Sequence, residues 1–92
     1  MEVELDKSIS NETISKLKKL GLKKYAKDIE KSIYSFSEKY VIENEITFMF
    51  EQIYLEKSSE IINKLKESGN ELIELIKNEK ISAIKLAELK PE

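Results

Sequence analysis

The chain has 92 residues, of which 40% are hydrophobic and 37% are charged, and its formal net charge is −2. It contains no cysteine and no histidine, which excludes disulfides, thiol nucleophiles, imidazole acid–base catalysis and the usual zinc sites. All 16 basic residues are lysines, and without arginine the sequence argues against sequence-specific reading of DNA bases.

The first predicted helix covers about residues 11–20, where apolar residues recur at helical spacing. Ser10 or Asn11 is the predicted N-cap residue, and Gly21 stands where a left-handed C-cap residue belongs. Residues 1–9 alternate apolar and charged side chains, which predicts an extended arm.

Two longer helices are predicted next, over about residues 22–40 and 45–67, because apolar residues follow each other at steps of three and four. Asn44 is a candidate cap for the second of these helices. Its apolar seam is interrupted near Lys57 and Ser58.

Two short helices close the chain, over about residues 71–78 and 83–89. Gly69 is predicted to end the preceding helix, Asn70 to cap the first short helix and Ser82 to cap the second. The predicted fold is therefore all-α, a small three-helix bundle with two additional short helices in a single domain.

A basic segment runs from residue 16 to residue 31. It contains seven lysines and two acidic residues, Asp28 and Glu30, which gives a net charge of +5. Such a stripe is suited to the phosphate backbone of a nucleic acid. The alternative is a solvated helix face whose lysine stems cover apolar edges. The candidate nucleic-acid-binding residues are Lys16, Lys19, Lys23, Lys24, Lys27 and Lys31.

The acidic residues do not indicate a catalytic or metal site. The glutamates between residues 38 and 60 lack the spacing of a calcium-binding loop, and pairs such as Glu56 and Glu60 are typical of a solvated helix surface. We therefore predict no enzyme activity, no metal and no cofactor. Tyr34 and Phe48 lie off the apolar stripes and are candidates for a partner surface or a second packing face.

Residues 54–92 carry a series of short motifs in a defined order. The motifs are Tyr54 with Lys57, KLKES (64–68), Asn70-Glu71-Leu72, NEKIS (78–82) and KLAELKPE (85–92), preceded by YAKDIEKSIYSF (25–36). In order and spacing these motifs resemble the central domain of transcription elongation factor S-II (TFIIS). On this resemblance residues 22–92 form the S-II-like bundle, and residues 1–21 form an arm and a first helix.

The sequence departs from the family pattern at three points. The glycine of the family's step before the closing segment is replaced by Asn78 or Glu79, one basic position of the family falls on Ser59, and arginine is absent. These departures imply that contact through the basic face is weaker or differently arranged here.

The resemblance implies a three-helix bundle that docks on the largest subunit of RNA polymerase. In the family a linker then leads to a zinc ribbon whose acidic pair promotes cleavage of backtracked RNA, whereas this chain ends where the linker would begin and has no cysteine for a ribbon. The implied role is docking without catalysis, through Tyr54, Lys57, Lys64 and Lys66.

The expected protein is intracellular, because no apolar run approaches ~18 residues and the start lacks a signal-peptide core. The resemblance implies a nuclear location in a eukaryote, and we expect a monomer. Two alternatives to polymerase docking are non-specific nucleic-acid binding through the basic segment and self-association through the helix over residues 45–67.

Overall fold

Four α-helices make up the fold in the computed structural model, which describes residues 5–83 and Leu86 of the chain. The helices are α1 (Lys7–Lys19), α2 (Ala26–Glu43), α3 (Phe50–Glu67) and α4 (Asn70–Lys77), and a 3-10 turn (Thr47–Met49) precedes α3. Within these residues there is no strand, so the predicted all-α class is confirmed. The short connections make α1, α2 and α3 run antiparallel to their neighbours in sequence.

The first helix begins earlier than the apolar pattern predicts. Asp6 is its N-cap residue, and the Asp6 carboxylate accepts hydrogen bonds from the backbone N–H and the hydroxyl of Ser8, both at 2.9 Å. The backbone hydrogen bond, with the hydroxyl second, lowers the pKa of Asp6. The predicted cap at Ser10 or Asn11 is therefore wrong, and so is the extended arm from Lys7 onward, whereas residues 1–4 lie outside the described residues.

The turn after α1 is a Schellman motif, as Gly21 predicts. The Leu22 N–H donates to the Leu17 carbonyl at 3.2 Å, the Gly21 N–H donates to the Lys18 carbonyl at 3.0 Å, and Gly21 has φ of 87°. Leu22 is fully buried in this turn, and α2 begins at Ala26 instead of residue 22 because residues 22–25 form the turn.

The turn after α2 repeats the same hydrogen bonds without a glycine. The Ile46 N–H donates to the Val41 carbonyl at 2.8 Å, and the Glu45 N–H donates to the Ile42 carbonyl at 3.2 Å. Glu45 has φ of 57°, in the left-handed region that favours glycine. Asn44 ends α2 and donates its side-chain N–H to a carbonyl of that helix at 2.8 Å, so its predicted role as a cap for the next helix is wrong.

The connection from α3 to α4 is short. Gly69 directly follows the C-cap residue Ser68, with φ of 62°, so α3 ends where predicted. Its ψ of −127° lies outside the left-handed helical region, and Gly69 is the N-cap residue of α4 instead of the predicted C-cap of α3. Asn70 is the first residue of α4 instead of the cap that precedes it. After α4 the chain turns through Glu79, which has φ of 57°. The predicted fifth helix over about 83–89, with its cap at Ser82, falls largely on residues 84–85 and 87–89, which lie outside the described residues.

All four helices contribute to one hydrophobic core. Its buried members are Leu17, Leu22, Ala26, Ile29, Ile33, Tyr54, Ile61, Ile62, Leu65, Ile73, Ile76, Ala83 and Leu86. Because α1 buries Leu17 there, α1 shares one core with the other three helices. The seam of α3 is not interrupted, since Lys57 and Ser58 are buried as well.

The two ends of the bundle differ in charge. One end contains the basic segment of residues 16–31, with its net charge of +5. There the Tyr25 hydroxyl donates to the Lys77 carbonyl at 3.2 Å, which joins the α1–α2 turn to the end of α4. We call this the lysine end. At the other end residues 34–56, from α2 through the α2–α3 turn into α3, carry five glutamates and one lysine, a net charge of −4. We call this the glutamate end.

Candidate functional site

Tyr54 is a core residue and not a contact residue. Its side chain has 0% of its surface exposed, so in this conformation it cannot meet a docked partner, contrary to the sequence prediction. Burial raises the pKa of Tyr54 to about 12, and the charge of Glu30 adds to this effect, whereas the nearby hydroxyls of Thr13 and Ser10 oppose it. Tyr54 therefore fixes α3 within the bundle.

A small polar cluster surrounds the Tyr54 hydroxyl. The Ser10 hydroxyl of α1 donates to Glu30 Oε1 of α2 at 2.9 Å, which ties the two helices together. Among the described residues, Glu30 Oε2 and the Tyr54 hydroxyl are buried without a hydrogen-bond partner of good geometry. Unpaired polar atoms in a core reduce stability, so this cluster lowers the free energy of unfolding.

Lys57 is also buried, with 9% of its surface exposed. Its ammonium lies 3.3 Å from Glu60 Oε2 and 4.4 Å from the ring centroid of Phe36 on α2. These contacts hold the charge inside the molecule, where an ion pair and a cation–π interaction replace part of its hydration. Like Tyr54, Lys57 joins α3 to its neighbours and is not available as the predicted surface contact.

Lys64 and Lys66 remain accessible, but they lie on different faces of α3. Lys64 is half-buried and its ammonium lies 3.7 Å from Glu60 Oε1. Lys66 is exposed and points away from Lys64, because residues two apart on a helix do not face the same way. The four predicted contact residues therefore do not form one surface.

The exposed face of α3 that carries Lys66 forms one wall of a groove against α1. Leu55, Ser59, Asn63 and Lys66 lie along this face at helical spacing, and all four are exposed, Leu55 by 46%. Lys16 of α1 lines the opposite wall of this groove of about 190 Å³. We call this set of α3 residues the α3 stripe. It combines one apolar side chain with polar and basic ones.

The six lysines proposed for nucleic-acid binding are all exposed. Lys16 pairs with Glu12 at 3.3 Å, and the Lys24 ammonium lies 5.6 Å from the ring centroid of Tyr25. The fold brings two further lysines to this end: Lys66 shares the groove with Lys16, and Lys77 extends its ammonium over Gly21, where an added Cβ would lie 3.7 Å from it. No local pattern in the sequence could have placed these two beside the basic segment, because they lie 35 and 46 residues beyond its end.

The two aromatic residues that lie off the apolar stripes have different surroundings. Tyr34 packs edge-on against Phe50, with ring centroids 5.1 Å apart, and so belongs to a packing face. Phe48, in the 3-10 turn, is 84% exposed at the glutamate end. Of the two, only Phe48 offers its ring to a partner.

The residues described do not provide a cluster of three or more acidic side chains that could hold a metal ion. None of the helices described is long and apolar enough to cross a membrane. The apolar seam of α3, proposed for self-association, lies inside the core of the chain through Tyr54, Ile61 and Leu65, and so is not available for pairing with a second copy.

A comparison of this chain with protein-family models, curated proteins and solved structures finds no match. The resemblance of residues 54–92 to the S-II central domain therefore remains a prediction from the motifs themselves.

Proposed function

We propose that this chain is a non-catalytic docking domain of the S-II central-domain type, which binds the largest subunit of RNA polymerase as a monomer. In a eukaryote this role belongs to the nucleus. The proposal starts from the order of motifs in residues 54–92 and uses the fold to choose the surface that makes the contact.

The backbone at Glu79 carries the proposal. In the family a glycine-bearing step separates the short helix from the closing segment, and this chain has no glycine there. Glu79 nevertheless has φ of 57°, in the left-handed region that glycine adopts most easily. It follows α4 and precedes the buried residues Ala83 and Leu86, which is the order that the resemblance implies.

The α3 stripe is the contact surface that we assign. Leu55 supplies an exposed apolar side chain, which can be buried against a partner, and Lys66 supplies a charge that attracts an acidic surface. Lys64 lies on a different face of α3 and is not part of this surface. Tyr54 and Lys57 act indirectly, because they hold α3 in the orientation that presents the stripe.

The test is a binding titration of the full chain on immobilised RNA polymerase from the source organism. The double variant Leu55→Ser, Lys66→Glu should bind roughly tenfold more weakly, since each change removes an interaction of ~1 kcal/mol or less. Binding should also weaken with salt, because the charged part of the contact is exposed.

The matched control is Lys39→Glu, which makes the same charge change on α2 at the glutamate end. It should bind polymerase as the natural chain does. The proposal fails if the natural chain does not bind polymerase, and the assignment to the α3 stripe fails if the double variant binds as tightly as the control.

Non-specific binding of nucleic acid is the second candidate function, and the exposure of all six predicted lysines favours it. Lys27 and Lys31 are one helical turn apart on α2, a spacing of ~6 Å along its axis. With Lys66 and Lys77 at the same end, the surface is larger than the basic segment alone. Because no arginine is present, we expect phosphate contacts with little preference for sequence.

Fluorescence anisotropy with labelled single-stranded RNA and DNA tests this candidate. Binding should weaken steeply between about 50 and 200 mM salt. The double variant Lys27→Glu, Lys31→Glu should lose most of the signal at low salt, and Lys39→Glu should lose little. A flat titration of the natural chain at low salt would remove this function from consideration.

A further inference from the structure

The glutamate end contains an open aromatic groove between α2 and α3. Phe36 and Tyr40 form its α2 wall, and Ile53 and Lys57 belong to its α3 wall. The cavity between these walls has a volume of about 170 Å³. A second cavity of about 380 Å³, whose described lining lies on α2, adjoins it at Phe36 and Tyr40. We call this feature the aromatic groove. It lies on a different side of α3 from the α3 stripe. Lys57 and Lys66 are about two and a half helical turns apart, so their side chains leave the helix on opposite sides.

The rings of the aromatic groove are arranged so that one of them is open to a partner. Phe36 and Tyr40 stack with centroids 6.0 Å apart and planes inclined by 23°. The Lys57 ammonium already lies over Phe36 at 4.4 Å, which demonstrates that a cation fits against these rings. Tyr40 is 42% exposed, so its ring is free to receive an apolar side chain or a second cation.

The rim of the aromatic groove carries glutamates on both sides. Glu43 lies on the α2 side, and Glu56 and Glu60 lie on the α3 side. Glu60 is paired with Lys57. The other charged side chains among the described lining residues are Glu43, Glu56 and Lys39. The surrounding residues 34–56 have a net charge of −4, so the field at this end attracts a positively charged partner.

We propose that the aromatic groove binds a lysine- and arginine-rich amphipathic helix of a partner protein. An apolar side chain of that helix enters between Tyr40 and Ile53, and its cationic side chains meet Glu43 and Glu56. The negative charge of this end repels nucleic acids and anionic lipid surfaces, so a basic protein segment is the occupant that fits both the charge and the apolar wall. This interaction is separate from polymerase docking and uses other residues.

The test uses a labelled synthetic peptide of about 16 residues in which leucines recur at helical spacing among lysines and arginines. Its fluorescence anisotropy is titrated with the full chain at moderate salt. Saturable binding is expected, and Tyr40→Ser should weaken it roughly tenfold, since a central aromatic anchor is lost. Tyr40→Phe keeps the ring and should bind as the natural chain does.

Two controls separate the aromatic groove from diffuse attraction between opposite charges. Glu43→Lys should weaken peptide binding several-fold, whereas Glu71→Lys, the same charge change at an exposed position of α4, should have little effect. A second peptide with every leucine replaced by serine should bind much more weakly than the first.

The proposal is overturned if Tyr40→Ser binds the peptide normally, if both charge variants weaken binding equally, or if the serine peptide binds as tightly as the leucine peptide. Circular dichroism of Tyr40→Ser checks that the variant keeps its helices. Light scattering identifies a competing occupant: self-association of the natural chain that Glu43→Lys abolishes would assign the groove to the lysine end of a second copy and overturn the proposal.

Discussion

The turns at the two ends of the bundle have the same hydrogen bonds but different residues at their critical positions. At the lysine end Gly21 takes the left-handed position and Leu22, which follows it, is fully buried. At the glutamate end Glu45 takes the left-handed position and Ile46, which follows it, is only half-buried. The same backbone motif therefore closes one end of the core and leaves the other end open.

The difference follows from what covers each turn. At the lysine end α4 packs over the α1–α2 turn, through the hydrogen bond from Tyr25 to Lys77, and Ile73 and Ile76 enter the core there. No described helix covers the α2–α3 turn in the same way, and Phe48 and Tyr40 remain exposed beside it. An open turn leaves apolar groups exposed to a partner.

The largest predicted effect concerns the apolar residues that follow the two left-handed positions. Leu22→Ala should lower the free energy of unfolding by ~2–5 kcal/mol, because it removes buried methyl groups and leaves a cavity. Ile46→Ala, at the equivalent position of the other turn, should lower it by only ~1 kcal/mol, since that side chain is partly hydrated. Urea unfolding measures both values. Equal losses would contradict the difference between a closed end and an open end.

The sequence predicts the helices and the first turn because their signals are local. Apolar residues at helical spacing indicate where the helices lie, and Gly21 indicates the end of α1. The turn at Glu45 has no such signal, because a glutamate rarely adopts a left-handed conformation. The cap at Asp6 was missed for another reason: the apolar pattern begins several residues after the cap.

The candidate sites are harder to predict because they depend on contacts between distant residues. The sequence predicts that Lys57 is an exposed contact residue. Its burial is explained by its contact with Phe36, which lies on another helix. Lys66 was predicted as a contact residue, but its position beside Lys16 is a result of how α1 and α3 pack. The side chains that share a surface are therefore visible only in the folded chain.

The second prediction tests the backbone of the lysine end. Gly21→Ala should lower the free energy of unfolding by ~1–2 kcal/mol, because a residue with a Cβ is strained at φ of 87°. Among the described residues the added Cβ would meet only Lys77 Nζ, at 3.7 Å, an ordinary contact, so the loss comes from the backbone and not from a clash. Gly69→Ala should lose at least as much, although nothing described lies near the added Cβ, because φ of 62° with ψ of −127° is a conformation that essentially only glycine adopts. Full stability of either alanine variant would contradict this explanation.

The third prediction tests whether the core is dry around Tyr54, which lies within the glutamate end. Tyrosine in the unfolded chain titrates near 10, whereas burial raises the pKa of Tyr54 to about 12 in the folded chain. Between these values the unfolded state loses a proton that the folded state keeps, so stability is complete below pH 10 and falls as pH rises toward 12. Relative to Tyr54→Phe, the natural chain should lose roughly 1.4 kcal/mol of stability between pH 9 and pH 11.

Urea unfolding of both chains at several pH values measures this difference, and lysine titration affects both chains alike. Near neutral pH Tyr54→Phe should be as stable as the natural chain or slightly more stable, because it removes a hydroxyl that is buried without a partner. Parallel pH profiles for the two chains would mean that water reaches the Tyr54 hydroxyl.

The smallest predicted effect is a gain in stability at the open end. Glu45→Gly relieves the left-handed strain of a residue with a Cβ, but it also makes the unfolded chain more flexible. The first term is larger, so the free energy of unfolding should rise by about 0.5–1 kcal/mol. Glu45→Ala is the control, because it removes the same charge and keeps the Cβ. If the alanine variant gains as much as the glycine variant, relief of repulsion among the glutamates is the cause, and the two turns do not differ in backbone strain.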